Sequence, residues 1–294
     1  MNNNTYITFK KQRELGDILT DTFAFIRTEF KPFGKVFLTI VGPYLVVMMI
    51  SLALYLYFVG NQFNFLVEQS ETAINGLLTA AILILYFLSF IMVYIMSQST
   101  VLHYIKSYIE GKGETNFDSI RADVYAALGS FLGLGFIVIA CLVIGFMFCL
   151  IPGIYLWVPL SLSFSIMAFE RKGISDAFGD SFSLVKDHWW ISFATLLVVA
   201  IIVTVASYAF ALPTAIYGWA KMGILSGALD AESMMDSFKD PIYILLNMIG
   251  TLAQFVLNII TLVAGAFLYF NLNERKNFSG TFERIQNLGQ NPEN

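Results

Sequence analysis

Asn247, Thr251, Gln254, Asn258 and Thr261 recur at spacings of four, three, four and three inside the apolar stretch 242–271. On a helix, with 3.6 residues per turn, that spacing puts all five on one stripe. Their chemistry is hydrogen bonding without charge, since each amide and hydroxyl both donates and accepts. Hydrocarbon offers such groups no partner, so the stripe must face protein or water. Two readings follow: a polar lining for a substrate path, or hydrogen bonding between neighbouring helices. Ser161, Ser163 and Ser165 on an earlier apolar stretch are candidate partners, although their alternation keeps them from sharing one helical face.

Carboxylates form the second constellation. Asp17 and Asp21, and likewise Asp176 and Asp180, stand one helical turn apart. Such a pair could ligate a divalent cation. No histidine or further carboxylate is placed to complete a shell, and the expected pairs are Arg13–Asp17 and Lys172–Asp176 on a solvated face. No metal or cofactor site is therefore expected. His103 and His188 fall near the ends of apolar stretches, where a lone histidine is a surface residue. Cys141 and Cys149 share one stretch at about 12 Å of helical rise, too far for a disulfide, and read as small buried apolar groups. HExxH, GxSxG, P-loop and dinucleotide glycine patterns are all missing from the sequence. The cores of the apolar stretches contain no Asp, Glu, Lys, Arg or His. An intramembrane hydrolase or proton-coupled carrier needs an ionisable group at depth, so no catalytic residue is assigned and an enzyme is not expected.

The elements that position these residues are six apolar stretches, 36–59, 77–105, 127–150, 154–169, 191–215 and 242–271. The chain is 57% hydrophobic and 13% charged; a soluble domain has about 25% charged residues, so this composition cannot cover a water-exposed surface. A helix crosses the hydrocarbon core with about 20 apolar residues. The fourth stretch is the shortest and takes Glu170 and Arg171 as its aqueous boundary. A β-barrel is excluded because the runs are continuous rather than alternating. The polar N-terminus, MNNNTYITFKKQREL, lacks the apolar core of a cleavable signal peptide. Pro43, Pro159 and Pro213 are expected to kink or end their helices. Ile151-Pro152-Gly153 reads as a tight turn between spans 3 and 4. Gly129-Ser-Phe-Leu-Gly133 fits the small-xxx-small pattern of close helix approach. The segment 217–240, with Asp230, Glu232, Asp236 and Asp240 beside Met234, Met235 and Phe238, is a candidate surface helix.

Basic residues sort by side. Lys10, Lys11, Arg13, Arg27, Lys31 and Lys35 precede the first span. Lys106, Lys112 and Arg121 lie between spans 2 and 3; Arg171, Lys172 and Lys186 between spans 4 and 5; Arg275, Lys276 and Arg284 after span 6. The opposite side receives only Lys221 and Lys239. Cations resist translocation, so both termini are expected in the cytoplasm.

An internal repeat organises the chain. Residues 15–31 align without a gap to 174–190, matching Asp17 with Asp176, Asp21 with Asp180, Phe23 with Phe182, Arg27 with Lys186 and Phe30 with Trp189. Leu15, Ile18, Leu19, Phe23, Ile26 and Phe30 form one apolar face. Phe117, Ile120, Val124 and Leu128 make a weaker third copy. Tyr104, Phe117 and Ile120 correspond at another constant offset to Tyr269, Phe282 and Ile285. The expected architecture is an all-α polytopic membrane protein of six transmembrane helices with cytoplasmic-face amphipathic helices. Residues 1–272 form a single membrane domain of tandem parallel units, about 15–105, 115–169 and 174–272, followed by a short cytoplasmic tail, 273–294. The amphipathic helices either lie in the headgroup plane or pack under the bundle as connecting helices.

Two segments carry a family resemblance. Ile151-Pro-Gly-Ile-Tyr-Leu-Trp-Val-Pro-Leu-Ser-Leu-Ser-Phe-Ser-Ile-Met-Ala-Phe-Glu170 is an apolar span between a PG pair and an acidic residue. Ala177-Phe-Gly-Asp-Ser-Phe-Ser-Leu-Val-Lys-Asp-His-Trp-Trp190 follows the pattern S-x-x-L-V-[KR]-x-x-W-W. Together they resemble the membrane domain ahead of some bacterial glycerophosphoryl diester phosphodiesterases and its stand-alone relatives, most clearly over about 115–215. The resemblance implies a bacterial plasma-membrane location. It implies no phosphodiesterase activity, because the residues after Asn271 are too few for the catalytic barrel.

The sequence thus points to a non-enzymatic, multi-pass plasma-membrane protein acting as scaffold, regulator or accessory subunit. The alternative is a transport or lipid-handling protein using the polar stripe of span 6. Expected partners are the lipid bilayer and membrane or cytoplasmic proteins, not nucleic acid. The topology is tested by cysteine labelling: substitutions at Gln69 and Ser237 should react with an impermeant reagent in intact cells, and those at Asn4 and Asn291 only after lysis. Labelling of either terminus in sealed cells would overturn the assignment.

Overall fold

A computed structural model describes residues 6–62, 73–148, 150–224, 227, 237–278, 280 and 282. Among the described residues there is no strand. The helices are α1 (Leu15–Gln62), α2 (Ala73–Glu110), α3 (Phe117–Phe148), α4 (Leu150–Glu170), α5 (Ile174–Val185), α6 (Trp189–Lys221) and α7 (Pro241–Asn277). A short 3₁₀ turn, Lys186–His188, joins α5 to α6. Within the described residues six helical stretches are long and apolar enough to cross a membrane. Large apolar side chains such as Phe136, Ile139, Met147 and Phe148 of α3 are exposed. That surface suits lipid and not water, and the chain is a multi-pass helical membrane protein.

Helix starts follow local chemistry. Asp17 accepts a hydrogen bond from the Glu14 amide at 3.2 Å, the return arm of a capping box at the start of α1. Asn116 accepts from Ser119 N at 3.2 Å ahead of α3, and Asp240 from Ile242 N at 2.8 Å ahead of α7, with Pro241 at the first helical position.

Several local expectations need correction. Ile151, Pro152 and Gly153 are not a turn but part of the first turn of α4, which makes that helix 21 residues long. Proline is tolerated there because the first N–H groups of a helix have no intrahelical partner. Gly153 instead provides close approach: a Cβ on Gly145 of α3 would lie 3.2 Å from its Cα. Pro43, Pro159 and Pro213 end no helix, since α1, α4 and α6 continue past them. Of the pair Gly129 and Gly133, only Gly133 marks a close approach, to Ile174 of α5. His103 is buried, not a surface residue, and its Nδ1 lies 2.8 Å from the Ser99 carbonyl. Cys149 and, within the segment 217–240, Asp230, Glu232, Met234, Met235 and Asp236 lie outside the described residues.

The chain divides into two compact units. The first comprises Met1–Ile40, Ile95–Ile201 and Ile259–Asn294. Its organising group is Arg13, 2% exposed. The guanidinium pairs with Asp21 at 2.8 Å and donates to the carbonyls of Phe9, Lys11 and Thr8. It also lies over the Phe267 ring, 4.7 Å from the centroid. The Arg13 backbone is fixed too: its amide donates to Asn271 Oδ1 at 2.8 Å, and its carbonyl accepts from Arg275 at 3.1 Å. Phe9 stacks on Phe267 at 4.2 Å and meets Phe25 edge-on at 5.2 Å. Residues 6–14 are thereby tied to both α1 and α7. Two tyrosine–carboxylate bonds cross-link other helices, Tyr104 to Glu29 and Tyr269 to Glu170, each 2.7 Å.

The expected pairs Arg13–Asp17 and Lys172–Asp176 are replaced by Arg13–Asp21 and Lys172–Asp180 at 2.7 Å. Both cations precede their helices, so the chain must turn back to reach a carboxylate and passes over the first. The two segments bury the same register: Ile18, Thr22 and Phe25 in α1, and Ala177, Ser181 and Leu184 in α5. Of the anticipated apolar face of α1, Ile18 is buried whereas Phe23 and Phe30 are exposed. Residues 15–33 are also continuous with the first span rather than a separate helix.

Equal geometry does not mean equal energy. The side chains of Lys172 and Asp180 are 39% and 46% exposed, against 1% for Arg13. An exposed pair contributes about 0–1 kcal/mol, whereas removing one partner of a buried one costs about 3 kcal/mol or more. Arg13→Ala should therefore lower unfolding stability by about 3 kcal/mol, and Lys172→Ala by less than about 1 kcal/mol. Denaturant titration in micelles checks the order; equal losses would refute it.

Candidate functional site: a cavity lined by α2, α6 and α7

The second unit comprises Val41–Tyr94 and Ile202–Asn258. In it α1 meets α2 through a Ser51–Ser89 hydroxyl pair at 2.9 Å and through Tyr55 stacked on Tyr86 at 5.6 Å. Phe90 of α2 packs against Phe255 of α7 at 5.7 Å. Helices α6 and α7 are tied by Asp240, whose Oδ2 accepts from Tyr217 and Lys221, each at 2.9 Å. Lys221, together with the Ile242 amide and the Tyr217 hydroxyl, lowers the Asp240 carboxyl from 3.8 to about 2. Because the folded value is depressed, its stabilisation is present above the ordinary carboxylate range and fades only as pH falls toward about 2. The tie is thus charged throughout the neutral range. Close approach adds to it, since a Cβ on Gly218 would lie 3.1 Å from the Tyr243 ring.

These contacts frame a cavity of about 810 Å³, within the roughly 300–1,000 Å³ of small-molecule sites. Helix α2 contributes Tyr86, Phe90 and Tyr94; α6 contributes Thr204, Ser207, Tyr208, Ala211 and Thr214, with Trp219 further along. The wall from α7 contains Tyr243, Asn247, Thr251, Gln254, Phe255 and Asn258. Four of the five stripe residues therefore share one cavity wall. Thr261 lies beyond the unit and does not line it. On α7 the opposite face carries exposed Leu245, Ile249, Leu252 and Val256, as expected of a helix between lipid and a polar interior.

Hydrogen bonding divides the stripe. Asn247 donates to the Tyr243 carbonyl at 2.9 Å, and Thr251 to that of Asn247 at 2.8 Å, so both are satisfied within their own helix. Gln254 and Asn258 have no side-chain hydrogen bond among the described residues, and Gln254 is exposed to the cavity. Ser161 and Ser163, considered as partners, bond the Val158 and Leu160 carbonyls of α4 instead, and Ser165 does not line the cavity. Asp21 and Asp180 are engaged by Arg13 and Lys172, and no group of three or more His, Cys, Asp or Glu able to hold a metal occurs among the described residues.

Sequence reasoning missed the α6 wall. Its signal was present: Thr204, Ser207, Ala211, Thr214 and Gly218 follow the same alternation of threes and fours, but small hydroxyls are less conspicuous than amides. Comparison with protein families, curated proteins and solved structures finds no match for this chain.

Because Gln254 and Asn258 bond no protein group, replacing either with Leu should change unfolding stability by no more than about 0.6 kcal/mol, the mean value of one interhelical hydrogen bond. A loss several times larger in the same micelle titration would show that the amides are bonded within the fold.

Proposed function

We propose that this protein binds and handles a lipid or other amphipathic solute in the α2–α6–α7 cavity, as a non-enzymatic membrane protein. One observation carries the reading: two amides at mid-span face open space without a protein partner. A polar group at that depth is stable only with a partner, and a ligand or water entering the cavity supplies it. A scaffold or accessory subunit would have no use for such a space; interhelical bonding would have closed it. The apolar part of the lining, Phe90, Ala211, Met222 and Phe255, suits a chain attached to the polar group. Among the described residues the wall has no carboxylate, imidazole or amine for general acid–base work.

The location we propose is the bacterial plasma membrane with both termini cytoplasmic. The charge asymmetry and the resemblance to the phosphodiesterase membrane domain support it. The shared burial register of α1 and α5 supports tandem units, each an entry helix followed by two spans.

Native mass spectrometry of the protein purified from its membrane tests the function. A small molecule should copurify with wild type and be lost from Gln254→Leu/Asn258→Leu at unchanged thermal stability. Wild type without such a molecule, together with full function of the variant in cells, would overturn the proposal and return the scaffold reading.

A further inference from the structure

Resting on that reading, we infer that the cavity selects an amphiphile whose polar group is uncharged and hydroxyl-bearing, of the glycerol or sugar type, over anionic or cationic amphiphiles. Among the described residues, no Lys, Arg, His, Asp or Glu lines the cavity. The nearest charges along the chain, Lys221 and Asp240, neutralise one another. A phosphate or carboxylate in this space would lack the cation that normally accompanies its burial. An ammonium group would lack the carboxylate that normally accompanies its burial, since no described lining residue carries one.

The free groups instead match a hydroxyl. Gln254 and Asn258 each offer an N–H donor and a carbonyl acceptor one turn apart on α7. A hydroxyl both donates and accepts, so a single hydroxyl can donate to the carbonyl of one amide and accept from the N–H of the other. Phosphate oxygens only accept and would leave both amide carbonyls unpaired. Thr204 and Thr214 on the α6 wall form no hydrogen bond among the described residues and extend the same neutral chemistry across the cavity.

The test uses the full chain in phosphatidylcholine nanodiscs and three photoactivatable probes with the same acyl chains: diacylglycerol, phosphatidic acid and an acyl trimethylammonium. Cross-linked peptides are mapped by mass spectrometry. Diacylglycerol should label segments 204–219 and 243–258 at least tenfold above the other two. Gln254→Leu/Asn258→Leu should remove that excess without moving the thermal midpoint, and Gln254→Lys should shift preference to phosphatidic acid. Equal labelling by all three, or preference for a charged probe in wild type, would overturn the selectivity and leave ligand binding intact. Absence of labelling of the cavity wall by every probe would overturn both. If the double variant fails to fold, the inversion in Gln254→Lys decides the matter alone.

Discussion

A polar group placed in hydrocarbon has to be satisfied by the protein around it, and most of this structure can be traced to that constraint. It makes the fold helical, since a helix pairs its backbone groups within one segment. It also explains why Thr22, Thr39, Ser163, Thr195 and Ser207 all donate to carbonyls one turn back on their own helices. Such bonds need no neighbour, so a hydroxyl can occur almost anywhere along a span. Amides are harder to accommodate. Asn247 uses its own helix for one donor, but Gln254 and Asn258 do not, and they are the residues that face the cavity.

The same constraint decides which ion pairs matter. Arg13 is buried with its charge, and each of its donors has to be matched at once; Phe9, Lys11 and Thr8 supply carbonyls, and Asp21 the counter-charge. Residues 6–14 must wrap around the guanidinium to do so, which places Phe9 between Phe25 and Phe267. At the equivalent position of the proposed repeat, Lys172 reaches Asp180 and Glu170 in partial solvent. Water there satisfies whatever the protein leaves open, so a single lysine suffices. The cavity presents the opposite case. In its polar wall Asn247 and Thr251 are matched within α7, whereas Gln254 and Asn258 are matched by no described residue.

What the sequence made legible follows from what each signal depends on. Span number and helical class rest on length and composition, and six spans emerged from apolar runs alone. The α7 stripe was legible because a 3.6-residue period survives whatever packs around it. Pro152 was misread because proline marks both turns and first helical turns, and only the backbone on either side distinguishes them. The ion pairs were misread because i,i+4 pairing assumes that both residues are helical, whereas Arg13 and Lys172 precede α1 and α5. The packed face of α1 was displaced by one position because Glu29 and Thr22 are polar, yet buried. A pattern based on hydrophobicity passes over such residues, although the Tyr104–Glu29 bond makes one of them a helix cross-link.

The cavity itself could not be read from α7 alone, because a polar stripe becomes a site only if the opposite wall stands back from it. That wall is built from small and hydroxylated residues on α6, and from the aromatic residues Tyr86, Phe90 and Tyr94 on α2. Gly250 lets α7 approach the Phe210 carbonyl, where a Cβ would lie 3.6 Å away; one turn further on, Gln254 already faces open space. The two helices are thus held together at one end by Asp240, Tyr217 and Lys221 and near the middle by Gly250, while the wall between Tyr243 and Asn258 remains lined by groups that prefer a polar partner. Ordinary helix packing would favour filling that wall with Leu or Val and closing the space. The spacing of small residues on α6 against amides on α7 does the reverse, and a binding role accounts for both features together.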